Sequence, residues 1–389
     1  MLEMFVMADT STLLSSLISY LNEHSIGNSL LPVSRAQPLL SSEEKADICN
    51  LLMQRTTEYD IELEMARANG FFSIEQYKRA EQIYEQILSA NPGNITALYN
   101  LSVTLMRLST PEKALITLNR VIQNEPTLPE AYYQRGNTYD ETGNSLKAID
   151  DYTHAISIKP EFLQAIYNRG IVNAKLDLHE AAIKDFDAVI KLKPDISNAY
   201  LNRGVSFDET GNHQSAIDDY TIAIYYNQNN LDAFFNRAKT LFFLGEPQDA
   251  INDYTNVIVR LSTDIEALNN RGLAFDSLGD YEHAIKDYKA ALKINPEYAE
   301  TLNNLGAVCE ALDDIGSAQD YYSSAIQNDP NSPSAHYNLA RIHAKSGSLY
   351  LSLKYLDRSI ELDSLLKEEA SRDEYLGEVV QWNMMRRNR

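Results

Sequence analysis

Residues 129–162 read PEAYYQRGNTYDETGNSLKAIDDYTHAISIKPEF, and the same order of large and small side chains returns every 34 residues. The nine repeats that follow from this period, numbered 1 to 9 below, are 61–94, 95–128, 129–162, 163–196, 197–230, 231–264, 265–298, 299–332 and 333–366. Position 1 is the first residue of each repeat. A period of this length predicts a repeat architecture, so each feature is best described by its position within the repeat.

The spacing of the apolar positions predicts two helices in each repeat. Positions 4, 8 and 11 hold bulky, small and apolar residues, and positions 20, 24 and 27 hold Ala, an aromatic and a small or β-branched residue. Side chains at i, i+4 and i+7 share one face of an α-helix, so each repeat is predicted to be a helical hairpin. Five glycines at position 15 mark the end of the first helix, where a left-handed residue is favoured: Gly143, Gly211, Gly245, Gly279 and Gly347. Proline at position 32 ends the second helix.

This pattern resembles the tetratricopeptide repeat, a helix-turn-helix unit with these residue sizes at these positions. The resemblance covers residues 61–366. It implies an all-α, right-handed superhelical solenoid of about nine repeats with helical caps, stabilised by stacking because one hairpin cannot bury its own apolar face. We therefore expect one long domain. The terminal repeats depart from the pattern, as repeats with a different outer face should: Glu64, Ile87, Ser352, Leu356 and Ser364.

The segments outside the repeats are predicted to cover the two ends. Residues 1–60 are expected to form a helical cap and a loop, with a short amphipathic helix over Thr12–His24 and a capping box at Ser41 and Glu44. Residues 367–389 are expected to form one further helix and a basic, solvated tail. The helix is interpreted either as a cap or as a docking motif, and the tail consists of Arg386, Arg387, Asn388 and Arg389.

Charge and composition exclude several classes of partner. The net charge of −21 argues against nucleic acid, which is bound through basic surfaces. No apolar run approaches the roughly 18 residues of a membrane span, so no membrane partner is expected. Cys49 and Cys309 follow neither disulfide nor metal-ligand spacing, which favours a reducing, cytoplasmic setting.

No catalytic motif is present, so no enzymatic activity and no cofactor are expected. The sequence contains no HExxH, no phosphate-binding glycine loop and no nucleophile elbow. His336 and His343 occupy positions 4 and 11 of repeat 9, which predicts core histidines rather than metal ligands.

A row of amide side chains at position 6 is the strongest indication of function. Its members are Asn100, Gln134, Asn168, Asn202, Asn236, Asn270, Asn304 and Asn338. Asparagine is a middling helix former, so helix propensity does not explain its return in mid-helix. Positions 2, 5, 6, 9, 12 and 13 of the first helices, here called the first-helix face, line the concave groove in the family that the chain resembles. The row also resembles the asparagine ladder in the repeat domain of O-GlcNAc transferase.

Two interpretations of this row remain open. A carboxamide can bond both the C=O and the N–H of an extended chain, which predicts an adaptor or scaffold that binds an extended peptide segment of a partner protein. Alternatively, the amides bond one another or the backbone and rigidify the array. The chain would then be a structural subunit of an assembly that docks through its outer surface or end helices.

Acidic residues accompany the amides on the first-helix face. They lie at position 2 (Glu130, Asp232, Glu266 and Glu300) and at positions 12 or 13 (Asp140, Glu141, Asp208, Glu209, Asp276 and Glu310). A carboxylate in the last helical turn opposes the helix dipole at a cost of about 0.3 to 1 kcal/mol, so its recurrence suggests a use. The face is expected either to prefer a neutral or basic peptide or to serve solubility.

Repeat 6 differs from the others by its aromatic residues. Phe235, Phe242 and Phe243 stand at positions 5, 12 and 13, and the junctions on both sides carry Gln228 and Ser262 instead of proline. The three rings are interpreted either as a binding hot spot or as core residues.

Arginine at position 7 changes together with aspartate at position 23, apart from Arg67 with Ile83 in repeat 1. Repeats 3 to 7 carry both residues, whereas Leu101, Leu305 and Leu339 accompany Thr117, Tyr321 and Tyr355. A guanidinium and a carboxylate form two parallel hydrogen bonds, so this pattern predicts a structural ion pair.

The carboxylate clamp of the family's co-chaperones is incomplete in this chain. Asn69 and Asn100 match its two asparagines, but its basic positions hold Met65, Glu130 and Gln134. Binding of heat-shock-protein tails through this clamp is therefore not expected.

Overall fold

The computed structural model describes residues 61–387, and within them all regular structure is helical. Each of the nine repeats forms one helix-turn-helix pair, as predicted. The helices fall into two compact halves, divided between Asp195 and Ile196. The expected helices before residue 61 lie outside the described residues, as does Cys49.

The N-terminal half contains repeats 1 to 4. Its helices are Ile61–Ser73, Tyr77–Ala90, Ile95–Arg107, Pro111–Asn124, Pro129–Glu141, Ser145–Ile158, Leu163–Lys175 and His179–Leu192.

The C-terminal half contains repeats 5 to 9 and the helices that follow them. Its helices are Ser197–Glu209, His213–Tyr226, Leu231–Phe243, Pro247–Arg260, Ile265–Ser277, Tyr281–Ile294, Ala299–Ala311, Ile315–Asn328, Pro333–Lys345, Leu349–Leu362, Leu366–Arg372 and Leu376–Arg387.

Every repeat turns between its helices through a left-handed residue at position 15. The five predicted glycines have φ between 73° and 81°. In the other four repeats Glu75, Ser109, Asp177 and Asp313 adopt φ between 55° and 61°. All nine repeats therefore share this left-handed turn, and glycine adopts it with the least strain.

The core lies between the two helices of each repeat. Alanine at position 20 is fully buried in repeats 1 to 8. In repeats 3, 4, 5, 7 and 8 the ring at position 24 packs against a glycine at position 8. A Cβ atom added to Gly272, for example, would lie 2.6 Å from Cε1 of Tyr288. The small residue is thus required for the close approach of the two helices.

The predicted ion pair is confirmed in repeats 3 to 7. Two nitrogens of each arginine donate to both carboxylate oxygens of the aspartate over 2.6–3.0 Å; the pairs are Arg135–Asp151, Arg169–Asp185, Arg203–Asp219, Arg237–Asp253 and Arg271–Asp287. Each aspartate is at most 5% exposed. In Arg135, Arg169, Arg237 and Arg271 the third nitrogen also reaches the preceding repeat, as in the 3.0 Å bond from Arg271 Nη1 to Thr255 Oγ1. One side chain therefore joins the two helices of a repeat to its neighbour.

The expectation of one helix after repeat 9 is wrong. Two helices follow, Leu366–Arg372 and Leu376–Arg387, because the Asp373 carboxylate accepts hydrogen bonds from the backbone N–H groups of Tyr375 and Leu376, each at 2.9 Å. Leu376 and Val379 are fully buried against residues of repeat 9. The side chains of the basic tail lie outside the described part of the chain.

Candidate binding surface

The position-6 amides of the N-terminal half differ in their exposure. Asn100 is only 2% exposed, and its Nδ2 donates to Asn69 Oδ1 over 3.0 Å. Asn168 Nδ2 donates to Asn137 Oδ1 over 2.9 Å, and Gln134 is half-buried. Asn100 therefore lies beneath the first-helix face, whereas Gln134 and Asn168 reach it.

In the C-terminal half, two of the position-6 amides bond the preceding repeat in the same way. Asn304 Nδ2 donates to Asn269 Oδ1, and Asn338 Nδ2 donates to Asn303 Oδ1, both over 3.0 Å. Asn236 instead donates to the Asp232 carbonyl of its own helix over 2.9 Å.

The two remaining amides of this half also lie half-buried on the first-helix face. Asn270 Oδ1 accepts from Asn269 Nδ2 at 3.4 Å. Asn202 also takes part in interactions of the folded chain. Pairing between amides of adjacent repeats is thus real, as the architectural interpretation requires.

These pairs leave one side of each amide open. The Oδ1 atoms of Asn168, Asn236, Asn304 and Asn338 accept no hydrogen bond from the described residues, and none of the four oxygens is fully buried. At least one N–H of each of these four amides is used within the array, so their unpaired oxygens are the acceptors that the row presents to a ligand.

The carboxylates at position 12 lie at the other end of the same helices. Asp140 pairs with Lys175 Nζ at 3.0 Å, and Asp208 accepts from Tyr220 Oη at 2.9 Å. Asp276 is half-buried, and burial raises the pKa of its carboxyl above the ordinary value. The neighbouring position-13 residues Glu141 and Glu209 are exposed. In each half, carboxylates therefore lie on the first-helix face together with the amides, and the Asp276 carboxylate belongs to the C-terminal half.

The three rings of repeat 6 separate into core and surface. Phe235 and Phe242 are partly buried against the core, and the Phe235 ring contacts the Tyr254 ring edge-on at 5.6 Å between centroids. Phe243 is 71% exposed and lies 4.9 Å from the His213 ring. The adjacent second helices end at Tyr226 and Arg260, position 30 as in the other repeats, so the missing prolines do not change the junctions.

Both asparagines of the incomplete clamp are buried. Asn69 Oδ1 accepts from Tyr84 Oη at 2.6 Å as well as from Asn100 Nδ2 at 3.0 Å. Both side chains are only 2% exposed, so they offer nothing to a peptide carboxylate.

Two groups of hydrogen bonds at this surface were not predicted from the sequence. Asn69, Asn137, Asn269 and Asn303 accept from the position-6 row, and tyrosines at position 24 reach the face from below. Tyr152, for example, donates to Asn137 at 2.8 Å. Asparagine recurs at position 9 in repeats 1 and 3, which indicated part of this network. In repeats 7 and 8, however, the asparagine that accepts from the position-6 amide lies at position 5.

The described residues contain no helix long and apolar enough to cross a membrane. They also contain no group of three or more His, Cys, Asp or Glu side chains placed to hold a metal ion. The two histidines of repeat 9 lie in or beside the core: His336 is 6% exposed, with Nε2 3.0 Å from the Pro330 carbonyl oxygen, and His343 stacks on Tyr355.

Solved structures with a similar arrangement of helices are repeat proteins and assemblies. They include a tetratricopeptide repeat protein from Parabacteroides merdae ATCC 43184, with 21% identity and a TM-score of 0.48 over 64% of this chain and 98% of that one. The APC/C hetero-tetramer Cut9–Hcn1 matches with 18% identity and a TM-score of 0.49 over 88% of this chain and 66% of that one. YrrB, described as a TPR protein with an unusual peptide-binding site, matches with 21% identity and a TM-score of 0.44 over 50% of this chain and 97% of that one.

No curated protein sequence matches the chain. Family models described as tetratricopeptide repeat match residues 72–136, 129–162, 167–233, 265–298 and 310–365, which together make up more than half of the sequence. With its helix pairs, left-handed turns and small-to-large contacts, the chain belongs to the tetratricopeptide repeat family.

Proposed function

We propose that this protein is an interaction scaffold whose first-helix face binds an extended, neutral or basic segment of a partner protein. The observation that carries the proposal is the state of four amides: each nitrogen already donates to the folded chain, and the oxygens of Asn168, Asn236, Asn304 and Asn338 accept nothing from the described residues. Acceptor oxygens and carboxylates suit a ligand with many donors, such as an extended backbone with basic side chains.

The geometry of the repeats fits such a ligand. Neighbouring helices pack roughly 8 to 10 Å apart, and an extended chain advances about 3.3 Å per residue, so successive amides would meet a backbone group every ~3 residues. Recognition of this kind depends mainly on the backbone and tolerates many sequences. Tetratricopeptide repeat proteins are typically non-enzymatic scaffolds, and no catalytic role is proposed here. The free thiol of Cys309 is compatible with a reducing, cytoplasmic setting.

A phage-displayed library of random linear peptides, selected on the full chain, tests this proposal. Selected peptides should lose affinity for the double variant Asn236→Ala with Asn304→Ala, as measured by fluorescence anisotropy. The matched control carries Asn252→Ala and Asn328→Ala, two exposed asparagines on second helices. Equal affinity for the two double variants, or no selected peptide at all, would overturn the proposal.

The pairs between repeats favour a second candidate function. In it the amides are architectural, as the bonds from Asn304 to Asn269 and from Asn338 to Asn303 suggest, and the chain docks in an assembly through its outer surface or end helices. A loss of thermal stability in the Asn236/Asn304 variant without a loss of peptide affinity would support this alternative.

A further inference from the structure

The position-12 carboxylates form a series in which one member differs from the rest. Asp140 is paired with Lys175 of the next repeat, and Asp208 accepts from Thr240 of the next repeat. Glu310 is bound by Arg341 of the next repeat, with Nε 3.1 Å from Oε1 and Nη2 2.9 Å from Oε2. In each case a donor at position 9, 10 or 13 of the following repeat satisfies the acid.

Asp276 lacks this partner. Its carboxylate makes no hydrogen bond or ion pair with the described residues, although the residue is half-buried. Positions 9, 10 and 13 of the next repeat are Ala307, Val308 and Ala311, which have no side-chain donor. A partly desolvated carboxylate without a counter-charge is unfavourable, so a cation placed beside it would be held firmly.

A second group at the same place also lacks its partner. The Tyr288 hydroxyl is buried and forms no hydrogen bond with the described residues. At the equivalent position, Tyr220 donates to Asp208 at 2.9 Å and Tyr322 donates to Glu310 at 3.0 Å. In repeats 5 and 8 the position-24 hydroxyl thus donates to the position-12 carboxylate, whereas in repeat 3 it donates to Asn137. In repeat 7 burial and then the nearby Asp276 carboxylate raise the pKa of Tyr288, but its hydroxyl donates to no described residue.

Repeat 8 shows the completed arrangement within the same chain. Glu310 lies between the Tyr322 hydroxyl below and the Arg341 guanidinium above. Repeat 7 supplies the acid and the tyrosine but no guanidinium. We propose that Asp276 and Tyr288 form the anchor site for an arginine side chain of the bound partner segment, which takes the place that Arg341 occupies on Glu310.

This inference rests on the proposed peptide-binding function and identifies its main specificity contact. Asp276 would accept two hydrogen bonds from the incoming guanidinium and one from the Tyr288 hydroxyl. Arginine suits the site better than lysine because its planar group donates to both carboxylate oxygens at once. Ala307 is small, so space remains beside Asp276 for a side chain from outside.

The test uses peptides selected on the full wild-type chain from the random library described above. A selected peptide and its version with Arg replaced by Gln are titrated against wild type, Asp276→Asn and the control Glu282→Gln, an exposed acid on the second helix. Asp276→Asn should weaken binding of the arginine peptide on the order of tenfold to a hundredfold and leave the glutamine peptide unaffected.

A second variant supplies the missing cation from the chain itself. Ala307→Arg places arginine where repeat 9 has Arg341, so it should raise the thermal midpoint and block the arginine peptide. Peptides that bind wild type and Asp276→Asn equally would overturn the anchor site and leave the proposed function standing. A lower thermal midpoint for Ala307→Arg would also overturn the anchor site, because the arrangement of Glu310 and Arg341 would then not apply to Asp276. Failure to select any peptide would overturn both proposals.

Discussion

The position-6 asparagines Asn168, Asn304 and Asn338 use their carboxamides unequally: the nitrogen bonds the preceding repeat, and the oxygen accepts nothing from the described residues. The nitrogen of Asn304 bonds Asn269 of the preceding repeat, whereas the nitrogen of Asn236 bonds only its own helix. One asparagine can therefore both stabilise the stacking of repeats and bind a ligand. The relative importance of these two roles differs from one repeat to the next. This difference makes the two roles separable by mutation.

Asn236→Ala is expected to change the free energy of unfolding by less than about 0.5 kcal/mol, because the lost bond lies on an exposed helix surface. Asn304→Ala removes the bond to Asn269 and should cost about 0.5 to 1.5 kcal/mol. Urea unfolding followed by circular dichroism measures both. Equal losses for the two variants would show that the pair between repeats contributes nothing to stability.

Asp276 should make the stability depend on pH in a recognisable direction. Burial raises its pKa in the folded chain above the ordinary 3.8, so the folded state holds the proton more tightly than the unfolded state. Its contribution to stability is present below 3.8 and is lost as the pH rises through the raised value. Asp276→Asn removes this loss. The thermal midpoint of the variant should therefore rise relative to that of wild type as the pH is raised from acidic to neutral.

Glu310→Gln is the matched comparison for Asp276→Asn, because Glu310 has the internal partner that Asp276 lacks. The Glu310 side chain is 10% exposed and its partner Arg341 is 27% exposed. Losing one member of this partly buried pair should cost about 1 to 3 kcal/mol at neutral pH. If Asp276→Asn is equally destabilising, Asp276 has a structural partner and the anchor site is wrong.

At the scale of the helical element, two contacts define the repeat. The first is the meeting of a small residue at position 8 with a ring at position 24, and the second is the arginine–aspartate pair. The sequence predicted the ion pair and the residue sizes at positions 8 and 24, because a 34-residue period makes each position comparable across nine copies, but it did not predict that positions 8 and 24 meet. It did not predict that arginine also bonds position 25 of the preceding repeat, since that residue varies between asparagine and threonine.

Gly306→Ala should be destabilising even though alanine favours helix. The added Cβ would lie 2.8 Å from Cδ1 and Cε1 of Tyr322, a fully buried ring. Such an overlap typically costs about 1 to 3 kcal/mol, more than the roughly 1 kcal/mol gained in helix propensity. Gly316→Ala is the control, because its nearest neighbour would be 3.9 Å away, and it should raise the thermal midpoint. A stabilising Gly306→Ala would mean that the two helices can separate freely.

Asp287→Ala should cost about 3 to 5 kcal/mol, because it leaves the Arg271 guanidinium partly buried without its carboxylate. The double variant Arg271→Leu with Asp287→Tyr reproduces the residues of repeat 8, Leu305 and Tyr321, and should be less destabilised than Asp287→Ala. A double-mutant cycle by chemical denaturation gives the coupling energy. A coupling energy near zero would show that the Arg271–Asp287 pair does not link the two helices.

On the scale of the whole molecule, the period predicted the helix pairs of every described repeat but not the hydrogen-bond partners on their surfaces. Helix positions follow from apolar spacing, which is local, whereas the amide of Asn304 finds Asn269 only when two repeats stack at a particular offset. For the same reason, the sequence did not predict that the Asp276 carboxylate has no hydrogen-bond partner among the described residues. Its environment depends on Ala307 of the next repeat and on the hydroxyl of Tyr288 below.

The C-terminal helices should protect the last repeat more than any other part of the array. Leu376 and Val379 are fully buried against a cluster that includes Leu356 and Tyr337 of repeat 9. Repeats contact mainly their neighbours, so the effect of a mutation should fade along the chain. Leu376→Ala should cost about 2 to 5 kcal/mol locally. Hydrogen exchange should then accelerate in helix Leu349–Leu362 and remain unchanged in helix Ser197–Glu209, whereas uniform acceleration would show that the C-terminal half unfolds as one cooperative body.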